Sequence, residues 1–202
     1  MSPTMRRTTH AAAGLGLAVA ASLTGLGGTA ASATPTVAVG SGYYQITAKH
    51  SGKCLDVANN SFSHAAPVVQ ARCVGTHNQQ WRLLPQGDGV KFKIQARHSG
   101  LCLDVAHGSR AHGAPVVQAN CSGGSNQVWW FVRPPGRAAL VNTSLGVVPQ
   151  VGNSVGIVAD HSGMVLDVAG ASQNHAAPVV QAAPPGGEPS LNEQWQFRPP
   201  VG

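Results

Sequence analysis

The chain has 202 residues, only 10% of them charged, with 13 Lys and Arg against 7 Asp and Glu and a formal net charge of +6. Beyond Arg6-Arg7 the basic residues stand singly, without the clustered stripe that nucleic-acid binding needs. No segment reaches the roughly 20 apolar residues of a membrane span.

At the N-terminus, Arg6 and Arg7 precede an uncharged, mostly apolar run from Ala11 to Leu26, followed by Ala31-Ser32-Ala33. Basic region, apolar core and A-x-A site in that order predict a secretory signal peptide over residues 1–33, cut before Thr34. The protein is therefore expected to be secreted and extracellular. Loss of the two arginines leaves 11 basic residues against 7 acidic ones, a net +4.

Lys49 to Trp81 then aligns without a gap on Arg97 to Trp129, with 21 of the 33 positions identical. A third copy runs from Asp160 to Trp195 with a three-residue insertion near its end. A repeat of this period means that one supersecondary unit, too small to bury its own apolar face, is stacked with its copies.

Each copy reads as four short strands. In the first they are Tyr43 to Ala48, Lys53 to Ala58, Val68 to Arg72 behind Pro67, and Gln80 to Leu84. In the second they are Val90 to Ala96, Leu101 to Ala106, Val116 to Ala119 and Val128 to Val132. Residues 135–154 form an insertion, read as a surface excursion with a short strand at Ala138 to Val141. The third copy supplies Val155 to Ala159, Met164 to Ala169, Val179 to Ala182 and Gln194 to Arg198. Amphipathic helical spacing is missing, while 14 prolines and 25 glycines punctuate the chain. Twelve strands in three equal units predict an all-β, closed, pseudo-threefold barrel, with repeats at about 42–85, 90–134 and 155–199.

Cys54 and Cys73 are 19 residues apart, as are Cys102 and Cys121 at the equivalent positions. The third copy changes both slots together, to Val165 and the Ala183-Pro184 region. Joint loss predicts bonded pairs, Cys54–Cys73 and Cys102–Cys121, because a leftover cysteine would be a free exported thiol. No CxxC spacing supports a metal site, and no cofactor is implied.

The segments Cys54-Leu55-Asp56-Val57 and Cys102-Leu103-Asp104-Val105 combine with Asn78-Gln79-Gln80-Trp81 and Asn126-Gln127-Val128-Trp129. The third copy has Val165-Leu166-Asp167-Val168 and Asn192-Glu193-Gln194-Trp195. In these segments the chain resembles the ricin B-type lectins, a β-trefoil family that also serves as carbohydrate-binding modules, over about residues 42–199. The resemblance implies that Trp81, Trp129 and Trp195 are core residues. It also implies one sugar site per repeat: Asp56 with Asn78, Asp104 with Asn126, and Asp167 with Asn192, with Gln79 and Gln127 as secondary polar groups. The chemistry fits, since a carboxylate accepts two neighbouring hydroxyl protons while an amide both donates and accepts.

The family's aromatic platform, on which a sugar ring stacks, falls on Ala71, Ala119 and Ala182 in this sequence. Gln70, Gln118 and Gln181 beside that slot are candidate contacts, and Phe62 and Trp130 are candidate replacement aromatics. Two histidine sets repeat as well. His50, His98 and His161 open the first turn, and His64, His112 and His175 precede the third strand as possible polar contacts beside Asp56, Asp104 and Asp167. Gly152-Asn153-Ser154-Val155-Gly156 has the spelling of a nucleophile elbow, but it leads into a strand where that elbow needs a strand–turn–helix. The expectation is a secreted, monomeric, non-enzymatic lectin-like module that binds glycans or polysaccharides. A trefoil that binds a protein, such as a hydrolase inhibitor, is the alternative.

Overall fold

The computed structural model describes residues 38–134, 140–143 and 146–201. The expected signal peptide, residues 1–33 with its cut before Thr34, lies outside the described residues. The described part is all β apart from short 3-10 turns. Its strands are β1 (Tyr44–Ala48), β2 (Cys54–Val57), β3 (Ala66–Ala71), β4 (Gln80–Gln86), β5 (Lys91–Ala96), β6 (Cys102–Val105) and β7 (Val116–Ala119). They continue with β8 (Trp129–Val132), β9 (Leu140–Thr143), β10 (Gly146–Pro149), β11 (Ser154–Ala159), β12 (Val165–Val168), β13 (Ala177–Ala182) and β14 (Gln194–Arg198).

Six strands close a barrel through antiparallel pairs: β1 with β4, β4 with β5, β5 with β8, β8 with β11, β11 with β14, and β14 with β1. Closure leaves no barrel edge unpaired. Side chains alternate in β5, β8 and β14, as in β5, where Phe92, Ile94 and Ala96 are buried between half-covered Lys91, Lys93 and Gln95. The remaining six trefoil strands form three hairpins, β2–β3, β6–β7 and β12–β13, one per repeat. In β2, β6 and β12 every residue is buried, because these strands are covered on both faces. This is a β-trefoil, as the repeat predicts.

The hairpins meet one another through their second strands. β3 pairs with β7 through Ala66↔Gln118 and Pro67↔Val117, and with β13 through Ala177↔Gln70 and Pro178↔Val69. A single bridge, Pro115↔Val180, joins the third side. These contacts explain why β3 and β13 begin two residues earlier than their composition suggests. Pro67 and Pro178 lie inside the strands, at the seams between repeats.

Trp81, Trp129 and Trp195 are fully buried. Each indole N–H donates to a hairpin carbonyl of its own repeat, Leu55 at 2.9 Å, Leu103 at 3.1 Å and Leu166 at 2.9 Å. Removing about 150–250 Å² per ring from water contributes on the order of 4–6 kcal/mol each. The ring thus ties the barrel to the hairpin that carries the repeat's aspartate. Both expected disulfides are present, Cys54–Cys73 and Cys102–Cys121, with Cα atoms 5.1 Å apart in each.

The insertion departs from its reading as a surface excursion. β9 and β10 form a hairpin, and Val148 is fully buried in the same core as the barrel residues. Val39, also fully buried, donates its amide to Pro149 at 2.9 Å beside it. Of the expected strand at Ala138 to Val141, Leu140 and Val141 fall in β9, and residues 135–139 lie outside the described residues.

Candidate functional site

In every repeat the hairpin aspartate meets the 3-10 turn that leads into the core tryptophan. The Asn78 amide donates to Asp56 Oδ1 at 3.1 Å and the Gln79 amide to Oδ2 at 2.7 Å. Asn126 and Gln127 donate to Asp104 Oδ2 at 2.9 and 2.7 Å. Asn192 donates to Asp167 in the third repeat. The sequence pairs Asp56–Asn78, Asp104–Asn126 and Asp167–Asn192 are therefore all brought together. The first two asparagine amides also reach the carbonyls of Val57 and Val105, both at 3.1 Å, which fixes the side chains against the end of the aspartate strand.

Gln79 and Gln127 hold the loop. Besides the aspartate, each donates to the carbonyl ahead of the loop, Arg72 or Asn120, both at 2.8 Å. Each accepts an amide on its far side, from Val74 at 2.9 Å or Ser122 at 2.7 Å. Glu193 takes this slot in the third repeat and turns away. It accepts from the Ser190 amide at 2.6 Å and hydroxyl at 2.8 Å, a capping box for its own turn.

Gln70, Gln118 and Gln181 depart from their reading as ligand contacts. All three are fully buried with their amides engaged. Gln118 donates to the carbonyls of Ser61 at 2.7 Å and Ser63 at 3.0 Å, in the loop of the first repeat, and accepts from the Ser99 hydroxyl at 2.8 Å. Gln181 treats Ser109, Ala111 and Ser162 in the same way, and Gln70 treats Ser172, Asn174 and Ser51. Each glutamine clamps the loop of the preceding repeat, cyclically. The first-turn histidines support the same loops, their Nε2 atoms 2.8–2.9 Å from the carbonyls of Ser172, Ser61 and Ser109.

The clamped loop carries the second histidine set across the repeat boundary. Arg72 N donates to His175 Nδ1 at 3.3 Å, Asn120 N to His64 Nδ1 at 3.4 Å, and Ala183 N to His112 Nδ1 at 3.2 Å. His175 therefore stands at the Asp56 site, His64 at the Asp104 site and His112 at the Asp167 site. The second histidine set thus stands beside these aspartates, each ring supplied by the preceding repeat. A ring whose Nδ1 accepts an amide proton carries its own proton on Nε2, so these rings present a donor. Sequence missed the permutation because an identical repeat places the histidine identically in every copy. Only the fold shows which neighbour receives it.

The Asp56 site opens as a cleft of about 780 Å³, lined by Asp56, Asn78, Gln79, Ala71 and His175 among others. Ala71 lies in its wall, so this cleft has no aromatic platform on β3. Phe62 is 65% exposed and packs its ring 5.1 Å from that of His98. Trp130 lines a separate cleft of about 470 Å³ with Arg133, Val165, Pro184 and Glu188. Neither ring replaces the platform beside Asp56.

Burial pushes all three aspartates above the usual carboxylate range, and their amide hydrogen bonds oppose it only in part. Asp167 is pushed highest, to about 6, by burial first, with Asn192 opposing and the charge of Glu193 adding to the rise. Asn78 is 6% exposed, and its Oδ1 accepts no hydrogen bond from the protein. Ser154 of the elbow-like segment is 2% exposed within β11 and receives the Gln196 amide at 3.2 Å, far from the geometry of an exposed nucleophile.

The model of the family described as ricin-type β-trefoil lectin domain-like matches residues 33–119 and 88–182. Among solved structures, the chain is similar to ThreeFoil, a designed 3-fold symmetric protein, at 41% identity and a TM-score of 0.64. That likeness covers 78% of this chain and 98% of the other. It is also similar to 1,3Gal43A, an exo-β-1,3-galactanase from Clostridium thermocellum, at 29% identity and a TM-score of 0.67, covering 80% of this chain but 31% of that enzyme. A ricin B-like lectin from Macrolepiota procera, solved in complex with lactose, shares the fold at 20% identity and a TM-score of 0.61, covering 80% of this chain and 99% of that one. No curated protein matches the chain in sequence.

Proposed function

The chain belongs to the ricin-type β-trefoil lectin-like family, and from that premise we propose that it is a secreted, non-enzymatic carbohydrate-binding module for glycan or polysaccharide hydroxyls. The observation that carries this reading is the threefold convergence of a buried aspartate, an asparagine and a histidine from the preceding repeat. The aspartate accepts hydroxyl protons, Asn78 Oδ1 is an acceptor that the protein leaves unused, and the histidine Nε2–H donates. A buried carboxylate held by fixed amides is also pre-oriented, so little order is lost on binding.

Without a stacking ring, each site forgoes an aromatic contact of about 0.5–1.5 kcal/mol. A sugar held at millimolar Kd is bound by only about 4 kcal/mol. The module therefore gains its useful affinity by engaging a polymer at two or three repeats together. Two disulfides suit an oxidising, extracellular setting, and among the described residues no helix is long and apolar enough to cross a membrane.

Pull-down on insoluble polysaccharides with a glycan array tests the reading. Binding falls stepwise in Asp56→Ala, Asp104→Ala and the double variant. Ala71, Ala119 and Ala182 at the platform slot favour a second reading, a protein-binding trefoil. Recovery of a protein partner with no glycan bound would establish that one instead.

A further inference from the structure

The three aspartate sites do not carry the same charges. Lys53 and Arg72 line the cleft of the first repeat together with Asp56, Asn78 and His175. Their counterparts are Leu101 and Asn120 in the second repeat and Met164 and Ala183 in the third, so both positive charges belong to the first repeat alone.

Their placement follows from the hairpin register. Cys54 pairs with Ala71, so Lys53 and Arg72 are the next opposite pair, one step beyond the ladder. The Cys54–Cys73 disulfide, with its Cα atoms 5.1 Å apart, holds the two chain segments together there. Side chains directly opposite across an antiparallel pair project to one side, about 4.5–5.5 Å apart at Cβ, and like charges in that arrangement repel. Among the described residues neither cation has an ion-pair partner. Among the described residues the one ion pair is Lys91–Asp160, and the Asp56 oxygens accept from Asn78 and Gln79.

We propose that the first-repeat cleft binds an acidic sugar, a pyranose bearing a carboxylate. Its hydroxyls sit on Asp56 and Asn78, and its carboxylate sits between Lys53 and Arg72. The proposal rests on the carbohydrate-binding reading of the same cleft and adds the class of sugar. The Arg72 guanidinium offers a planar fork matched to a carboxylate, and Lys53 adds a point charge. A carboxylate placed there faces two positive charges that a neutral sugar leaves unanswered. The second and third sites, with apolar or uncharged residues at both positions, remain sites for neutral sugars.

The test is calorimetric titration of the intact protein with an oligogalacturonate and with the matching neutral galactose oligomer. The acidic oligomer binds about tenfold tighter, and its affinity falls steeply with added salt. In Lys53→Leu/Arg72→Asn, which installs the second repeat's own residues, acidic affinity drops to the neutral value while neutral binding is unchanged. The reciprocal Leu101→Lys/Asn120→Arg variant gains acidic affinity at the second repeat. A thermal melt establishes that each variant is folded. Equal affinity for both oligomers, or equal loss of both in the first variant, would overturn the acidic-sugar proposal and leave the lectin reading standing. No binding of either oligomer, with no effect of Asp56→Ala on any glycan, would overturn both.

Discussion

Replacing Gln118 by alanine separates a structural clamp from a ligand contact. The wild-type amide satisfies two loop carbonyls, at 2.7 and 3.0 Å, and its oxygen receives the Ser99 hydroxyl at 2.8 Å, all in a fully buried position. Three hydrogen bonds at about 1 kcal/mol each, plus about 0.8 kcal/mol for a buried methylene, sum to about 4 kcal/mol of lost stability. At about 2–4 °C per kcal/mol in a domain of this size, the melting temperature falls by on the order of 10 °C. Calorimetric melting and urea titration with the disulfides intact measure both quantities. The freed loop is the one that carries His64 to the Asp104 site, so sugar binding there weakens while the Asp167 site keeps its affinity. A variant as stable as wild type, with binding lost selectively, would refute the clamp and return Gln118 to the ligand surface.

Four further outcomes follow from the same geometry. His175→Ala weakens binding at the Asp56 site and leaves the Asp167 site unchanged, as read by residue-resolved chemical-shift titration; the reverse pattern would refute the cross-repeat assignment. Asp167, with its folded pKa of about 6 above the ordinary 3.8, binds its proton more tightly folded than unfolded. It therefore lowers stability as pH rises through that window, and Asp167→Asn raises the melting temperature at pH 7, by on the order of 1–2 kcal/mol in stability, with no gain at pH 3.5. Sugar binding that uses the Asp167 carboxylate weakens as pH falls below about 6. Removing the first disulfide as Cys54→Ala/Cys73→Ala costs about 3 kcal/mol by the loop-entropy argument, measured by denaturant unfolding.

The three-copy pattern made the architecture legible, because each Leu-Asp-Val and tryptophan segment recurs where burial demands it. The resemblance carried by those segments implied Trp81, Trp129 and Trp195 as core and Asp56 with Asn78 as neighbours. The role of Gln70, Gln118 and Gln181 could not be read without coordinates. A fully buried amide is explicable only when the carbonyls it satisfies are known, and those belong to another repeat's loop. The histidine permutation was hidden for the same reason. Linear periodicity says what each copy contains and nothing about what it lends to its neighbour. Val148 escaped notice because an insertion outside the repeat offers no second copy for comparison.

The decisive property of this trefoil is where a sugar binds. Chemical-shift titration of the labelled protein with galactose and xylose oligomers measures this directly. The aspartate–asparagine–histidine site predicts that shifts cluster on Asp56, Asn78 and His175, with the equivalent triads Asp104, Asn126 and His64 and Asp167, Asn192 and His112 following. Shifts confined to the Trp130 cleft, or none with any oligomer, would contradict it.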